Sequence, residues 1–118
     1  MKMRPRSKLK AREKDIQKAI ICYLQLSGWE VYRTNNTGIW NSRKGGYFFH
    51  GQKGYPDITA LKEGLPILFV EVKSPTGKLT NEQKKFAALA QKCHCIYVLA
   101  RSLEDVINVV QDLTKTWR

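Results

Sequence analysis

The stretch Ile67-Leu68-Phe69-Val70-Glu71-Val72-Lys73 constrains this 118-residue chain more than any other. Four apolar residues run into an acid, a valine and a lysine, the pattern of a buried strand that turns polar at its far end. On a strand, residues two apart share a face about 6–7 Å apart. Glu71 and Lys73 therefore project side by side, while Val72 points into the opposite layer. Fourteen positions before Glu71, Asp57 opens a second short apolar stretch, residues 57–61. The connection Lys62-Glu63-Gly64-Leu65-Pro66 has the length and the Gly and Pro content of a hairpin loop. Two carboxylates and an ammonium then converge at one end of a hairpin. Mg²⁺ takes a few carboxylate oxygens and keeps several of its waters, so this is a candidate hydrolytic metal site. The plain alternative is that Asp57 caps a strand and Glu71–Lys73 is a surface ion pair.

Charge narrows the partner. The chain has 21 Lys and Arg against 10 Asp and Glu, a formal charge of +11, which favours a polyanion. Residues 1–12 hold Lys2, Arg4, Arg6, Lys8, Lys10 and Arg12 with no acid. Between Glu30 and Asp57 there is again no acid, only Arg33, Arg43, Lys44 and Lys53. The first run is either a solubilising tail or a nucleic-acid arm. The second leads directly into the acidic site. Phosphodiester hydrolysis needs that combination: broad attraction for phosphates, with negative charge concentrated where a metal sits. Nothing resembles a run of about 18 apolar residues, so no membrane span is expected. The charged N-terminus has no apolar stretch behind it, which argues against secretion. Three cysteines, an odd number, suit a reducing cytoplasm better than a disulfide framework.

Periodicity gives the order of elements. Ile16, Ala19, Ile20, Tyr23 and Leu24 predict an amphipathic helix from about Glu13 to Leu26, ended by Gly28. Residues 29–34 alternate as a strand. Residues 35–54 hold five of the eight glycines without clear periodicity, and a loop of that length is usually functional. Within it, residues 46–51 read as a short strand or a clamp. After the 57–73 hairpin, Thr80 and Gln83 fit a capping box opening a helix whose inner face is Phe86, Leu89, Ala90 and Cys93. Residues 95–100 form a strand, and a last helix turns Val106, Val109, Val110 and Leu113 inward. The expected boundaries are a basic, flexible tail over 1–11 and a single domain over 12–118. The strands flanking the Phe86 helix belong to one βαβ unit and should be parallel with a right-handed crossover.

With those residues in place, the chain resembles the PD-(D/E)XK nuclease superfamily and, more narrowly, its virus-type replication-repair nuclease (VRR-NUC) domain. The resemblance rests on Gly54-Tyr55-Pro56-Asp57, Phe69-Val70-Glu71-Val72-Lys73, the Gly77-Lys78-Leu79-Thr80 turn, Gln83 with Lys84, Arg33-Thr34-Asn35, and Glu13 with Gln17. It implies an α/β (α+β) fold, a restriction-endonuclease-like α-β-β-β-α-β core with a C-terminal helix and a mixed central sheet. It also implies that Asp57 and Glu71 are metal ligands, with the Val72 backbone carbonyl as a third. Glu13 would reach the metal shell from the first helix. Lys73 would position the attacking water or neutralise charge on the phosphate, and Gln83 would face Lys73 and help orient it. Arg33, Asn35, Arg43, Lys44, Lys53, Lys78 and Lys84 would contact DNA.

The expected function is a Mg²⁺-dependent DNA endonuclease, with Mn²⁺ substituting and no small-molecule cofactor, acting on branched DNA such as four-way junctions. The alternatives are a non-catalytic DNA-binding module of the same fold and a general nicking or restriction-type nuclease. A stand-alone domain of this type fits a phage or bacterial protein in the bacterial cytoplasm. One active set per chain predicts a homodimer for paired cuts. Trp40, Tyr47 and Phe48, interleaved with Arg43 and Lys44, either stack on unpaired bases or form a small core or dimer seam with Phe49 and Trp117. His50 is either a substrate contact or a solvated loop residue. Cys93-His94-Cys95 lacks the C-x₂₋₄-C spacing of structural zinc, so core cysteines beside a surface histidine are expected, with Cys22 also packed.

Overall fold

A computed structural model describes residues 6–34, 39–41, 46–48 and 53–116. The elements run α1 (Arg6–Leu26), β1 (Glu30–Arg33), β2 (Ile39–Asn41), β3 (Gly46–Phe48), β4 (Ile58–Leu61), β5 (Leu68–Val72), α2 (Asn81–Lys92), β6 (Ile96–Ala100) and α3 (Leu103–Thr116). Helix α1 begins at Arg6, about two turns before the apolar periodicity starts, so part of the basic 1–11 segment is helical backbone. Periodicity reports only where a helix has an apolar face, so it marks the stretch from Glu13 and is silent on the basic turns before it.

The main sheet has the order β1-β4-β5-β6. The β1–β4 and β4–β5 pairs are antiparallel, and β5–β6 is parallel with Phe69 opposite Tyr97 and Glu71 opposite Leu99. This is the mixed sheet expected from a hairpin followed by a βαβ unit. Strands β2 and β3 form a separate antiparallel pair with Trp40 opposite Tyr47, where the sequence suggested at most one short strand.

Strand β5 is buried along its whole length because both faces of the sheet are covered there. On one face Ile20 and Leu24 of α1 and Val106, Val110 and Leu113 of α3 close over Ile58, Ala60, Leu68, Val70, Val72, Val98 and Ala100. The other face carries an aromatic cluster under α2. The Phe86 ring stands 5.0 Å from Phe69, perpendicular to it, and 5.2 Å from Tyr55. Tyr97 completes the cluster at 6.2 Å from Phe86. Such edge-to-face pairs add to plain area burial. Helix α2 packs over β6 and, through Phe86, on Phe69 of β5. Its Leu89 is 59% exposed and Cys93 is also exposed, so the inner stripe is Phe86 and Ala90 rather than the four residues expected.

Both ends of α2 are set by local chemistry. At its start the Thr80 hydroxyl accepts the Gln83 N–H, and Gln83 Oε1 accepts the Thr80 N–H, the reciprocal capping box read from the sequence. At its end, the N–H groups of His94 and Cys95 return to the carbonyls of Gln91 and Ala90 at 3.1 and 2.9 Å. His94 takes φ +62° to close this turn. The Cys93-His94-Cys95 run is therefore a Schellman stop with His94 where glycine is usual. Cys22 and Cys93 are exposed and Cys95 half-buried, so none of the three is the core cysteine expected. Helix α1 ends in the same motif, with Gly28 at φ +89° and Trp29 N–H on the Leu24 carbonyl at 3.0 Å.

Candidate active site

Asp57 stands one residue before β4, held there from both directions. Its carbonyl accepts the Thr34 N–H at 2.8 Å, extending the β1–β4 ladder, and Pro56 before it is fully buried. Upstream, Gly54 has φ +89°, and a Cβ there would lie 2.5 Å from the Glu82 carbonyl oxygen. The Gly54-Tyr55-Pro56-Asp57 turn thus lies directly on the first turn of α2, a closeness only glycine permits. Tyr55 bonds through its hydroxyl to Thr59 Oγ1 at 2.9 Å, bracing the same turn.

The hairpin then brings Asp57 to the end of β5, where Asp57 Oδ2 accepts the Val72 N–H at 2.9 Å. Glu71, the neighbour of Val72, is only 3% exposed. Its Oε2 is buried with no hydrogen-bond partner. Burial pushes the Glu71 carboxyl up to about 9, and the hydrogen bond and negative charge of Asp57 act in the same direction. Lys73 opposes the shift and Glu13 adds a little to it. Asp57, Glu71, Lys73 and Glu13 therefore share one electrostatic neighbourhood. The surface ion pair that Glu71 and Lys73 might have formed is excluded by the burial of Glu71.

Glu13 arrives from α1, its Oε1 accepting the Ser74 N–H at 2.9 Å. Lys73 is half-buried, with its N–H on the Ala100 carbonyl at 3.0 Å, which ties the end of β5 to the end of β6. Gln83 turns its carbonyl oxygen back to Thr80 in the capping box, leaving the side-chain nitrogen and one lone pair of Oε1 to offer. Arg33, Lys53, Lys78 and Lys84 are exposed. Asn35, Arg43, Lys44, Phe49, His50 and Trp117, together with the side chains of Trp40, Tyr47 and Phe48, lie outside the described residues.

Two residues join the site that the sequence did not single out. The Tyr97 hydroxyl is buried without a partner, and its pKa is pushed up by burial and then by Glu71 and Asp57. Arg101 donates from Nη1 to the Ser74 carbonyl. The available signal was positional. In the parallel β5–β6 pair Tyr97 stands opposite Phe69, on the face that carries Glu71, and Arg101 follows the strand end to which Lys73 is bonded.

A family model described as the VRR-NUC domain matches residues 11–104, which takes in every element from α1 to the start of α3. No curated protein sequence matches the chain. A solved structure described as a VRR_NUC domain is similar to this one with a TM-score of 0.64 and 22% identity, covering 85% of this chain and 95% of that one. At that identity the likeness is one of fold, a mixed α/β architecture.

Proposed function

The chain belongs to the VRR-NUC family, and on that premise we propose that it is a metal-dependent DNA endonuclease that prefers branched DNA such as four-way junctions. The observation that carries this reading is Glu71, sealed in at the end of β5 with one oxygen unpartnered and Asp57 beside it. Burial and the neighbouring Asp57 carboxyl both disfavour the charged form of Glu71, and a bound cation would reverse that balance. Among the described residues no three His, Cys, Asp or Glu side chains form a group that could hold a metal ion. Mg²⁺ accepts one or two carboxylates and retains water, a demand that Asp57 and Glu71 can meet. Asp57, Glu71 and the Val72 carbonyl would hold it, with Glu13 at the margin and Mn²⁺ as a substitute. When bound, such an ion supplies Lewis-acid polarisation of a phosphoryl oxygen.

The remaining steps belong to the chain's own groups. The Lys73 ammonium orients the attacking water and offsets negative charge gathering on the phosphate. Gln83 helps orient Lys73 through the lone pair of Oε1 that the Thr80 N–H leaves free. Water adds across the P–O bond, leaving a phosphate monoester on one fragment and a hydroxyl on the other. Arg33, Lys53, Lys78 and Lys84, with Asn35, Arg43 and Lys44, hold flanking phosphates. One chain has one Asp57/Glu71/Lys73 set, so paired cuts across a junction would need a homodimer with a two-fold axis.

Purified protein incubated with single-stranded, duplex, flap and four-way DNA in Mg²⁺ or Mn²⁺ tests this, with Lys73→Ala as control. Metal-dependent cutting, fastest on the four-way substrate and absent in the variant, is the expected result. Equal cutting by the variant overturns the assignment. Binding without cutting by either protein favours the non-catalytic module. Mass by light scattering decides the dimer.

A further inference from the structure

Beside the carboxylates, on the α1 side, Arg12, Glu13, Ile16, Ser74, Pro75 and Arg101 line a small, partly open cleft. Its two cations come from distant parts of the sequence. Arg12 lies on α1 and Arg101 directly follows β6, so only the folded chain brings them together. Ser74 between them is fixed from both sides, its N–H on Glu13 Oε1 and its carbonyl on Arg101 Nη1. The Arg101 guanidinium thus donates to a neutral carbonyl, while the Asp105 carboxylate accepts the Arg101 backbone N–H at 2.8 Å. The Glu13 carboxylate is the one acid in the lining, already engaged by the Ser74 N–H, against two guanidinium groups.

Paired guanidinium forks are the side chains best matched to phosphate oxygens, which they can grip two at a time. The location adds the second half of the argument. Ser74 follows Lys73 directly, and consecutive Cα atoms are about 3.8 Å apart. The cleft that Ser74 lines thus begins one residue along the chain from Lys73, where a strand held at Lys73 would carry a neighbouring phosphate. We propose that Arg12 and Arg101 form a phosphate subsite that grips the DNA phosphodiester next to the one cut. This inference rests on the nuclease reading above.

The test is a binding cycle rather than a cleavage assay. Methylphosphonate linkages, which replace one charged phosphate oxygen by a neutral methyl group, are walked singly through a duplex. Affinity for the full chain is measured in Ca²⁺ to limit cutting, and the cleavage position is mapped separately in Mg²⁺. One linkage, adjacent to the cut, should weaken wild-type binding about tenfold. The same linkage should weaken Arg12→Ala less than about twofold, because the partner it removes is already gone. Arg101→Lys, which keeps a donor for the Ser74 carbonyl, should lose most of the same positional sensitivity. Lys18→Ala, exposed on the same helix outside the cleft, should lower affinity evenly at every position. If Arg12→Ala instead behaves like Lys18→Ala, the cleft is not a phosphate subsite. Sensitivity confined to a terminal phosphate overturns the assignment to an internal linkage. Wild-type protein that never cuts would defeat the nuclease reading, while the cycle would still show whether Arg12 and Arg101 meet a phosphate.

Discussion

Glu71 combines a buried position with an acid that has too few partners, and its behaviour should be measurable without any substrate. Its folded-state pKa of about 9 lies above its ordinary value of 4.5, so the fold favours the protonated form. The stability this group contributes is fully present below 4.5 and is lost as pH rises toward about 9. Glu71→Gln keeps the shape and supplies a donor to Asp57 without a proton to lose. In EDTA the variant should be more stable than wild type at pH 8, with the difference shrinking toward pH 5, as read by urea unfolding. Its cleavage should fall by more than about a hundredfold. Mg²⁺ should bind more tightly as pH rises and release a proton on binding near neutral pH, a release that calorimetry in buffers of different ionisation enthalpy detects. The types and spacing of Asp57, Glu71 and Lys73 were legible because a strand's period of two fixes which side chains are neighbours. Tyr97 and Arg101 were not, because their place in the site depends on the lateral pairing of β5 with β6, which no local pattern records.

At the scale of elements, α2 is the piece on which the geometry depends, since it closes the aromatic cluster and supports the turn that carries Asp57. Its capping box should be worth about 1 kcal/mol, lost in Thr80→Ala. The opposite end invites improvement. His94→Gly removes the strain of a left-handed residue and should raise stability by roughly 0.5–1 kcal/mol, a gain of a few degrees in Tm. Gly54→Ala should do something different. The new methyl would meet the Glu82 backbone, so the loop must retreat and take Asp57 with it. Circular dichroism should stay nearly unchanged while cleavage drops, and the Val72 amide resonance should shift as its bond to Asp57 lengthens. The capping box could be read in advance because its partners are three residues apart. Of the β2–β3 hairpin only the second strand could, because a Gly-rich stretch without alternation carries little strand signal. Nor could the exposure of Leu89, which reflects a short helix covering only half the sheet; on the open side Tyr32 is 54% and Leu61 42% exposed.

The molecule as a whole is a basic body with an acidic point in it. If binding neutralises about six phosphates, raising salt from 50 to 200 mM should weaken DNA affinity roughly 10³-fold, a slope that filter binding or anisotropy would give directly. A nearly salt-independent affinity would mean that the +11 charge serves something other than DNA. The parallel partner of the motif strand followed from the βαβ order of elements, so the overall topology was the most legible part of the fold.

The packing of α1 against α3 sets a constraint on synthesis. Ile20 and Leu24 belong to the same core as Val106, Val110 and Leu113, so the first helix finds its complete partner surface only when the last is made. Contacts of such long sequence separation form late, and a domain closes as a unit. Glu13 rides on that first helix and pins Ser74, so its part of the site forms only once α1 has docked. A chain still emerging from the ribosome would hold the Asp57–Lys73 hairpin in an unfinished frame. On the nuclease reading, that part of the site is complete only after α3 has been made and α1 has docked.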